Sequence, residues 1–451
     1  MIVLDRVSYT YPFQKTKALN GIDIRVKPGE LVLLTGESGC GKSTIARVVN
    51  GLIPHYFKGK LEGSVTVNGR DTVETVVGEI SRSVGTLFQD PEQQFFCTDV
   101  YSELAFTEEV RGINPETVSE TVSSYAEKYD ISHVLDSSIY SLSEGEKQKV
   151  ALASIMVPEP KCLVLDEPSA NLSPEATEKL AEELIQLKEN GYAVLVVDHR
   201  LYWLDGIADR VMVMQKGCIV QEGGFDILRS NELRNRYGLR NCSVSTVPKE
   251  EGEFTEGLEI KDLSFAYGKK PPIFTNYSAS VQAGTVTALR GPNGVGKTTL
   301  SRLLTGLLKA KTGKIFLNEK ELKPAELLEV TSLVLQNMDH QLYSSTVLEE
   351  VNGRTGILEM LRLDRFAERH PQSLSGGQKQ RLVIAAALSR DPRVIILDEP
   401  TSGLDGANMD IIGQMLRMEA EKGKVIMVIT HDLEFIDRCC NRQIEMKAEQ
   451  T

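Results

Sequence analysis

The feature that most constrains the fold of this chain is an internal repeat, in which one set of short phrases occurs twice in the same order. The paired phrases are GESGCGKST at 36–44 with GPNGVGKTT at 291–299, LSEGEKQ at 142–148 with LSGGQKQ at 374–380, CLVLDEPS at 162–169 with VIILDEPT at 394–401, and VVDHR at 196–200 with VITHD at 428–432. Ordered repeats of this kind indicate two copies of one structural unit. A chain of 451 residues also exceeds what one core usually supports, so two domains are expected.

The boundaries between the copies follow from composition. A polar, acidic stretch that contains VPKEEGEFTEG has no apolar periodicity, which is typical of a linker. We therefore predict a first domain over 1–238, an acidic linker over 239–256 and a second domain over 257–451. Unbroken apolar runs such as ELVLLTG and YAVLVVDH predict strands covered on both faces of a parallel sheet, and 176–189 has the apolar stripe of a helix. Each copy is thus predicted to be an α/β domain, the second with a shorter helical part.

The composition excludes several classes of protein. A net charge of −12 disfavours a nucleic-acid backbone or an anionic lipid surface as the main partner. The seven cysteines form no CxxC pair, as a reducing compartment permits. No apolar run approaches the roughly 18 residues that a membrane span needs, and Asp5 and Arg6 interrupt the start before a signal-peptide core could form. We expect a soluble, cytosolic chain with no nucleic-acid partner.

The first pair of phrases matches the phosphate-binding pattern G-x-x-x-x-G-K-[ST], each time after a predicted strand. Glycines let successive backbone N–H groups turn toward a phosphate at a helix N-terminus. Lys42 and Lys297 would reach the β- and γ-phosphates, and the hydroxyls of Ser43 and Thr298 would hold Mg²⁺. The predicted nucleotide-binding residues of the two loops are Gly36, Glu37, Ser38, Gly39, Cys40, Gly41, Lys42, Ser43, Thr44, Gly291, Pro292, Asn293, Gly294, Val295, Gly296, Lys297, Thr298 and Thr299.

The LDEP phrases supply candidate catalytic carboxylates. Asp166 and Asp398 each end an apolar strand, which is a common place for a carboxylate that coordinates Mg²⁺. The next residues, Glu167 and Glu399, are predicted to polarise a water for in-line attack on the γ-phosphate.

Other side chains are expected to surround the same phosphates. His199 and His431 follow their aspartates at the same spacing and each closes an apolar strand, so both are predicted to contact the γ-phosphate and the attacking water. Tyr11 and Tyr267 precede the two lysines at similar spacing, which fits either stacking on adenine or ordinary packing of a strand. We also hypothesise that Cys40 exposes a thiol that makes the first loop sensitive to alkylation.

The ordered set of P-loop, glutamine (Gln89 or Gln336), LSxGx phrase, LDEP and histidine resembles the nucleotide-binding domains of ABC ATPases, twice and over nearly the whole chain. The resemblance implies an α/β fold of two tandem P-loop ATPase domains of ABC type, each with a RecA-like parallel-sheet core, an antiparallel β region and a helical subdomain. It also implies an ATPase whose domains pack head to tail, with each Mg·ATP between the P-loop of one domain and the serine phrase of the other. Gln89 and Gln336 would then contact metal and nucleotide. The phrase residues that would face nucleotide are Ser143, Gly145, Ser375, Gly376, Gly377 and Gln378.

The two sandwiched sites are not expected to be equal. The serine phrases both fit a capping box that opens a helix, but Glu144 and Glu146 replace a glycine and a glutamine in the first copy. A carboxylate about 7 Å from a γ-phosphate costs on the order of 2 kcal/mol per charge pair at an effective dielectric near 20, against about 0.3–1 kcal/mol gained at the helix dipole. Ser173 also replaces the aspartate found at Asp405. We therefore expect the site completed by Ser375 to hydrolyse faster and the other site at least to bind ATP.

The stretches LFQDPEQQFFCTDVYSELAF and VLQNMDHQLYSSTVLEEV resemble the ATPases of energy-coupling-factor importers, which take up vitamins and cobalt or nickel ions, and their fused tandem version. This resemblance implies a transmembrane coupling subunit and a substrate-binding membrane subunit, with the chain peripheral to the cytoplasmic face of the cell membrane. Phe95 and Phe96 fit either a partner contact or core packing. The alternatives are a soluble ABC ATPase that acts on ribosomes or DNA, which usually needs a basic linker or an inserted domain, and a nucleotide-binding module without turnover.

Overall fold

The structure, a computed structural model, describes residues 1–89, 91–170, 172–245, 256–292, 294–335, 338 and 341–447. The chain forms two compact units, Met1–Ser243 and Val244–Thr451. Leu239, Arg240 and Cys242, which the sequence assigns to the linker, are buried in the first unit. Part of that predicted linker, 246–255, lies outside the described residues, as do the predicted site residues Asn293 and Gln336.

The first unit combines strands and helices in alternation. Its strands are β1 (Ile2–Thr10), β2 (Leu19–Val26), β3 (Leu31–Gly36), β4 (Lys60–Val67), β5 (Arg70–Asp71), β6 (Val84–Leu87), β7 (Cys162–Asp166), β8 (Ala193–Val197), β9 (Arg210–Gln215) and β10 (Cys218–Gly223). Its helices are α1 (Lys42–Val49), α2 (Leu52–His55), α3 (Val77–Ile80), α4 (Val100–Val110), α5 (Pro115–Lys128), α6 (Glu144–Met156), α7 (Pro174–Glu189) and α8 (Asn231–Arg236).

Two sheets organise this unit. An antiparallel sheet has the order β2-β1-β4-β5, and a second sheet has the order β10-β9-β3-β8-β7-β6, in which only the β9–β10 pair is antiparallel. The carboxyl ends of parallel strands meet at one edge of a sheet, where α/β proteins bind ligands. Strands β3, β7 and β8 therefore bring the residues that follow them, including Asp166 and His199, to a common edge.

The parallel strands are buried on both faces, as their unbroken apolar runs predict. Leu31 and Leu33 of β3 pack into the apolar cluster formed with the helices, whereas Val32 and Leu34 pack into a second cluster with the antiparallel sheet. Every residue of β3, β7 and β8 is buried. The expected α/β architecture, with a parallel core and an antiparallel β region, is confirmed.

The second unit repeats this plan. Its strands are β11 (Gly257–Phe265), β12 (Phe274–Gln282), β13 (Val286–Arg290), β14 (Thr312–Leu317), β15 (Lys320–Leu322), β16 (Thr331–Val334), β17 (Val394–Asp398), β18 (Val425–Ile429) and β19 (Arg442–Glu445). They form an antiparallel sheet of order β12-β11-β14-β15 and a parallel sheet of order β16-β17-β18-β13-β19. Its helices are α9 (Lys297–Leu304), α10 (Pro324–Val330), α11 (Val347–Glu350), α12 (Thr355–Met360), α13 (Gly376–Ser389), α14 (Gly406–Glu421) and α15 (Leu433–Cys439).

The units differ most in their helical parts, as the lengths of the two copies predict. Helices α4 and α5 have 11 and 14 residues in the first unit, whereas α11 and α12 have 4 and 6 residues in the second. Within the described ranges, every helix falls short of the length and apolar character that a bilayer span requires.

Candidate functional site

The first phosphate-binding loop joins the end of β3 to the start of α1. Gly41, directly before α1, has φ +114°, and a Cβ there would lie 2.6 Å from the carbonyl oxygen of Ala18. Glycine accepts both this backbone angle and this close approach. The first N–H groups of a helix have no partner within the helix, so the start of α1 at Lys42 offers them to a ligand. The loop thus has the form of a phosphate cradle.

Lys42 is buried and lies over this loop. Its Nζ donates to the carbonyl oxygens of Gly36 and Glu37, both at 2.9 Å. The neighbouring Cys40 is only 6% exposed, and burial raises the pKa of its thiol. The expectation of an exposed thiol is therefore wrong, because the side chain of Cys40 is buried and its Sγ lies 3.8 Å from Lys42 Nζ. The sensitivity of the loop to alkylation stays a prediction.

The second loop has the same construction between β13 and α9. Lys297 Nζ donates to the carbonyl oxygens of Gly291 at 2.7 Å and Pro292 at 3.0 Å. It also lies 3.2 Å from Nε2 of His431. Burial lowers the pKa of Lys297, while the charges of Glu399 and Asp398 oppose that shift. The lysine and the histidine at the end of β18 are therefore together, as the sequence predicts.

The residues predicted to hold Mg²⁺ also come together in each unit. Thr298 Oγ1 donates to Asp398 Oδ2 at 3.0 Å, and the hydroxyl of Ser43 hydrogen-bonds Asp166. Burial raises the pKa of Asp166, and Oδ1 of this buried carboxyl has no hydrogen-bond partner among the described residues. An oxygen of this kind beside a hydroxyl fits a hard cation such as Mg²⁺. When bound, Mg²⁺ supplies positive charge that neutralises phosphate oxygens.

Glu167 follows Asp166 with a left-handed backbone, φ +51°. Its Oε2 accepts a hydrogen bond from Gln89 Nε2 at 3.0 Å, and its Oε1 lies 3.6 Å from His199 Nε2. Burial, then the charges of Asp166 and Asp198, raise the pKa of Glu167 to about 8 against the opposing charges of Lys42 and Arg240. The predicted glutamine, glutamate and histidine of the first unit thus lie together, with Glu167 and His199 buried and Gln89 exposed.

His199 completes this group. Its Nε2 lies 3.5 Å from Ser38 Oγ of the phosphate loop. Burial lowers the pKa of His199 well below its usual value, and the charges of Lys42 and Arg240 act in the same direction. A neutral imidazole can accept a proton or a hydrogen bond on one ring nitrogen and donate on the other.

Glu399 is held differently in the second unit. Its backbone is also left-handed, φ +47°, but its carboxylate accepts hydrogen bonds from Thr430 Oγ1 at 2.9 Å and from the backbone N–H of His431 at 3.0 Å. The residue equivalent to Thr430 in the first unit is Asp198, which cannot donate in the same way when ionised. The two predicted catalytic glutamates therefore have different partners.

The two tyrosines lie beside the phosphate-loop helices. The hydroxyl of Tyr11 is 3.2 Å from Thr44 Oγ1 and accepts a hydrogen bond from Arg47 Nη1 at 3.0 Å. The hydroxyl of Tyr267 is 3.4 Å from Thr299 Oγ1. The hydroxyl of each tyrosine thus contacts the first turn of the helix that follows the phosphate loop. Stacking of the rings on adenine stays a prediction.

The serine phrases open α6 and α13 as capping boxes, as predicted. In the first unit the backbone N–H and the hydroxyl of Ser143 donate to Glu146 Oε2 at 2.8 and 2.7 Å, next to Gly145. In the second unit the backbone N–H of Ser375 donates to Gln378 Oε1 at 3.0 Å, with Gly376 and Gly377 as the first residues of α13. These residues therefore belong to a helix start separate from the phosphate loop of their own unit.

The residues Ser173 and Asp405 have one structural role in common. Each caps a helix, Ser173 by accepting from Ala176 N at 3.3 Å and Asp405 by accepting from Asn408 N at 2.7 Å. The sequence difference at this position therefore preserves the cap of α7 while it removes a carboxylate.

Sequence reasoning missed a glutamate that accepts hydrogen bonds from the loop that follows Gln89 in the first unit and Gln336 in the second. Glu103 Oε2 accepts from the backbone N–H groups of Phe96 and Cys97 at 2.9 and 2.8 Å, and Glu350 Oε2 accepts in the same way from Tyr343 at 3.1 Å. Phe96 is 76% exposed and Tyr343 is 83% exposed. The repetition of a glutamate seven residues after an aromatic residue in both copies is the signal that could have revealed this loop.

The strand-end carboxylates and the glycine-rich loops define two P-loop ATPase units in one chain. The ABC transporter family model matches residues 19–170 and 274–402. These matches cover more than half of the chain, and the chain belongs to the ABC transporter family. It is therefore an ATPase whose cofactors are ATP and Mg²⁺.

Individual proteins resemble the chain along its whole length. "Putative ABC transporter ATP-binding protein" of Treponema denticola is 37% identical, covering 100% of this chain and 96% of its own. "Putative HMP/thiamine import ATP-binding protein YkoD" of Bacillus subtilis is 33% identical, covering 97% of this chain and 88% of its own. The archaeal ribosome recycling factor aABCE1, solved with the ribosomal stalk protein aP1, superposes with a TM-score of 0.67 at 23% identity, covering 98% of this chain and 87% of its own. At that identity the likeness to aABCE1 shows a shared fold.

Proposed function

We propose that this chain is the ATP-hydrolysing, energy-coupling component of a membrane importer of the energy-coupling-factor type. Its cargo would be a vitamin, a vitamin precursor or a transition-metal ion. It would act at the cytoplasmic face of the cell membrane together with a transmembrane coupling subunit and a substrate-binding membrane subunit. The printed name of the Bacillus subtilis relative, an import ATP-binding protein for HMP and thiamine, supports this choice of cargo class.

The observation that carries the proposal is the pair of exposed aromatic side chains. Phe96 and Tyr343 occupy equivalent positions, and at each a glutamate of the next helix, Glu103 or Glu350, accepts a hydrogen bond from the backbone. Two large rings held in solvent at equivalent positions are candidates for protein contacts, because burying exposed apolar surface against a partner is favourable. Phe95, in contrast, packs against the core of the first unit. Of the two phenylalanines that the sequence left open, Phe96 is therefore the candidate for partner contact.

In the first unit this aromatic side chain borders a groove of about 360 Å³. Phe96 stacks against Phe106 with ring centroids 4.6 Å apart. The groove is lined by both apolar and polar side chains. Its lining residues include Phe88, Phe96, Glu103, Phe106 and Ile155. A short amphipathic helix of a membrane subunit, with its apolar face toward these rings, has the size and chemistry to fill it.

The proposal is tested by isolating the full-length protein from mild-detergent extracts and identifying what copurifies. We expect two small integral membrane proteins to copurify with the wild type, and both to be lost from the double variant Phe96→Ala/Tyr343→Ala. Phe13→Ala is the matched control, because Phe13 is fully exposed on a different loop. ATP turnover of the isolated protein should stay within about twofold in all variants.

The opposite outcome would favour a different class of function. If the protein copurified with ribosomes or DNA and with no integral membrane protein, the importer role would be rejected. If wild type and double variant retained membrane proteins equally, the contact through Phe96 and Tyr343 would be rejected.

We further infer that the chain forms two unequal ATP sites, each between the phosphate loop of one unit and the serine phrase of the other. Glu167 and Glu399 have different hydrogen-bond partners, and the serine phrase of the second unit has a neutral Gln378 where the first has Glu146. These differences support faster hydrolysis at the site that joins Lys42 to Ser375.

The variants Glu167→Gln and Glu399→Gln test this inequality in the full-length protein. We expect Glu167→Gln to lower steady-state ATP turnover at least tenfold and Glu399→Gln to lower it less than about threefold, with ATP binding retained in both. Equal losses of turnover would contradict the inequality but would leave the importer role untouched.

A further inference from the structure

Helices α5, α6 and α7 of the first unit border a cavity of about 360 Å³. Leu152, Leu172 and Leu180 line it and are buried, so part of the cavity is aliphatic. Tyr129, directly after α5, and Glu183 of α7 line it as well. Pockets that bind small molecules are of this size, and the volume is far larger than one water molecule needs.

Two polar atoms at this cavity have no hydrogen-bond partner. Tyr129 is only 6% exposed, and its hydroxyl makes no hydrogen bond with any described residue. Oε1 of Glu183 is buried and is likewise without a partner in the described part of the chain. The two groups lie near each other without a hydrogen bond of normal geometry, and burial raises the pKa of both. Because buried polar atoms in proteins are almost always hydrogen-bonded, this pair requires a partner that the described residues do not supply.

The second unit has apolar side chains at the corresponding positions. In the aligned copies Leu361 takes the place of Tyr129 and Met415 that of Glu183, and both of these residues are buried. Two lysines of the lining are replaced in the same way, Lys128 by Met360 and Lys179 by Ile411. The fold therefore does not require polar groups at these positions, and their presence in the first unit indicates a role in binding.

The charged side chains around the cavity are of both signs. They are three lysines and three carboxylates, namely Lys128, Lys149, Lys179, Asp130, Glu182 and Glu183. Lys149 Nζ pairs with Asp130 Oδ2 at 3.0 Å. Lys128, Lys179 and Glu182 are exposed, which leaves one positive charge in excess at the outer part of the cavity. The unpartnered oxygen of Glu183 is buried, so the cavity suits a molecule with a cationic group at its inner end and an anionic group at its outer end.

We propose that this cavity binds a small zwitterion with an apolar side chain, of the α-amino acid class. Its ammonium group donates to Glu183 Oε1 and to the hydroxyl of Tyr129, which can accept. Its carboxylate contacts the ammonium groups of Lys128 and Lys179, and its side chain packs against the buried leucines of the lining. The proposal rests on the first unit alone, so it depends neither on the importer role nor on how the two units pair.

Equilibrium dialysis of the full-length protein against labelled leucine tests the class of ligand. Leucine is the probe because its side chain matches the aliphatic part of the cavity, and we expect one site per chain with a Kd below about 1 mM. Two analogues that each lack one charged group, 3-methylbutylamine and 4-methylpentanoate, should compete at least about tenfold more weakly than unlabelled leucine. The absence of saturable leucine binding, or competition by either analogue as strong as that by leucine, would overturn the proposal.

Variants of the first unit locate the bound leucine. Glu183→Gln should weaken binding about tenfold, because it keeps the size of the side chain and removes the charge. Glu178→Gln is the matched control and should bind leucine as the wild type does, since Glu178 is exposed on the same helix. The double variant Tyr129→Leu/Glu183→Met installs the residues of the second unit, and it should lose binding while urea unfolding shows that it is folded. Leucine binding at full affinity in Glu183→Gln, or any leucine binding by the double variant, would reject this cavity as the site.

Discussion

Glu146 occupies in the first unit the position that Gln378 has in the second. Burial acts to raise its pKa, but hydrogen bonds from Ser143 and from His133, whose Nε2 lies 3.4 Å away, outweigh burial and lower it. The carboxylate is therefore ionised at neutral pH. His133 lies in a short helical turn of the first unit, and the equivalent turn of the second unit has Arg365, a permanent cation, at the same position. The start of α6 is thus more negative than the start of α13.

This difference predicts the effect of Glu146→Gln. In the proposed sandwich the carboxylate faces the γ-phosphate bound by Lys297, and a charge pair at about 7 Å costs on the order of 2 kcal/mol at an effective dielectric near 20. Because Glu146 is partly exposed, solvent screens its charge and we expect a smaller gain, a three- to tenfold tighter ATP affinity at that site. Equilibrium titration with ATP and Mg²⁺ measures this change.

The control for Glu146→Gln is Glu116→Gln, because Glu116 lies in the first turn of α5 and is exposed. Its ATP affinity should match that of wild type. An unchanged or weaker affinity in Glu146→Gln would mean that the carboxylate does not face a nucleotide.

Single residues also show where sequence reasoning succeeds and where it stops. Glu167 and His199 were predictable because each follows a buried strand, and parallel strands end at one edge. Cys40 was misjudged because loop position alone does not tell which way a side chain points, and its thiol packs inward.

At the scale of elements, the phosphate loop is the segment most restricted by its surroundings. Gly41 and Gly39 both have left-handed backbones, with φ +114° and +78°. A Cβ at Gly41 would lie 2.6 Å from the backbone oxygen of Ala18, whereas a Cβ at Gly39 would have nothing within 4 Å. We therefore expect Gly39→Ala to cost roughly 1–2 kcal/mol of backbone strain and Gly41→Ala to cost at least about 3 kcal/mol.

Urea unfolding of the two variants measures this difference. The comparison isolates the free-energy cost of the close contact with Ala18, because both substitutions add the same methyl group to the same loop. Equal losses of unfolding free energy would show that Ala18 can move away at little cost.

The elements themselves were predictable to different degrees. The strands Leu31–Gly36, Cys162–Asp166 and Ala193–Val197 follow from unbroken apolar runs, since both of their faces are buried. Their order in the sheet, with Ala193–Val197 between the other two, is not encoded in any local pattern and was not predicted. The loops that carry Phe96 and Tyr343 depend on a glutamate side chain that accepts hydrogen bonds from their backbone. The periodicity of apolar residues does not reveal such a contact.

At the scale of the whole molecule, the end of the first unit lies beyond the boundary that composition predicts. The acidic stretch suggests an end at residue 238, but the compact unit extends to Ser243. Leu239 and Cys242 pack into the main apolar cluster, and Arg240 is 2% exposed. Composition failed here because three buried residues are too few to change the average character of a polar stretch.

The fragments 1–243 and 1–238 test this boundary. We expect 1–243 to unfold cooperatively in urea as an independent unit, because its contacts are internal. Fragment 1–238 loses the burial of Leu239 and Cys242, so its unfolding free energy should be lower by roughly 3 kcal/mol or more. Fragment 1–245 serves as the control and should match 1–243, since residues 244 and 245 belong to the second unit. If 1–238 were as stable as 1–243, the segment would be a linker after all.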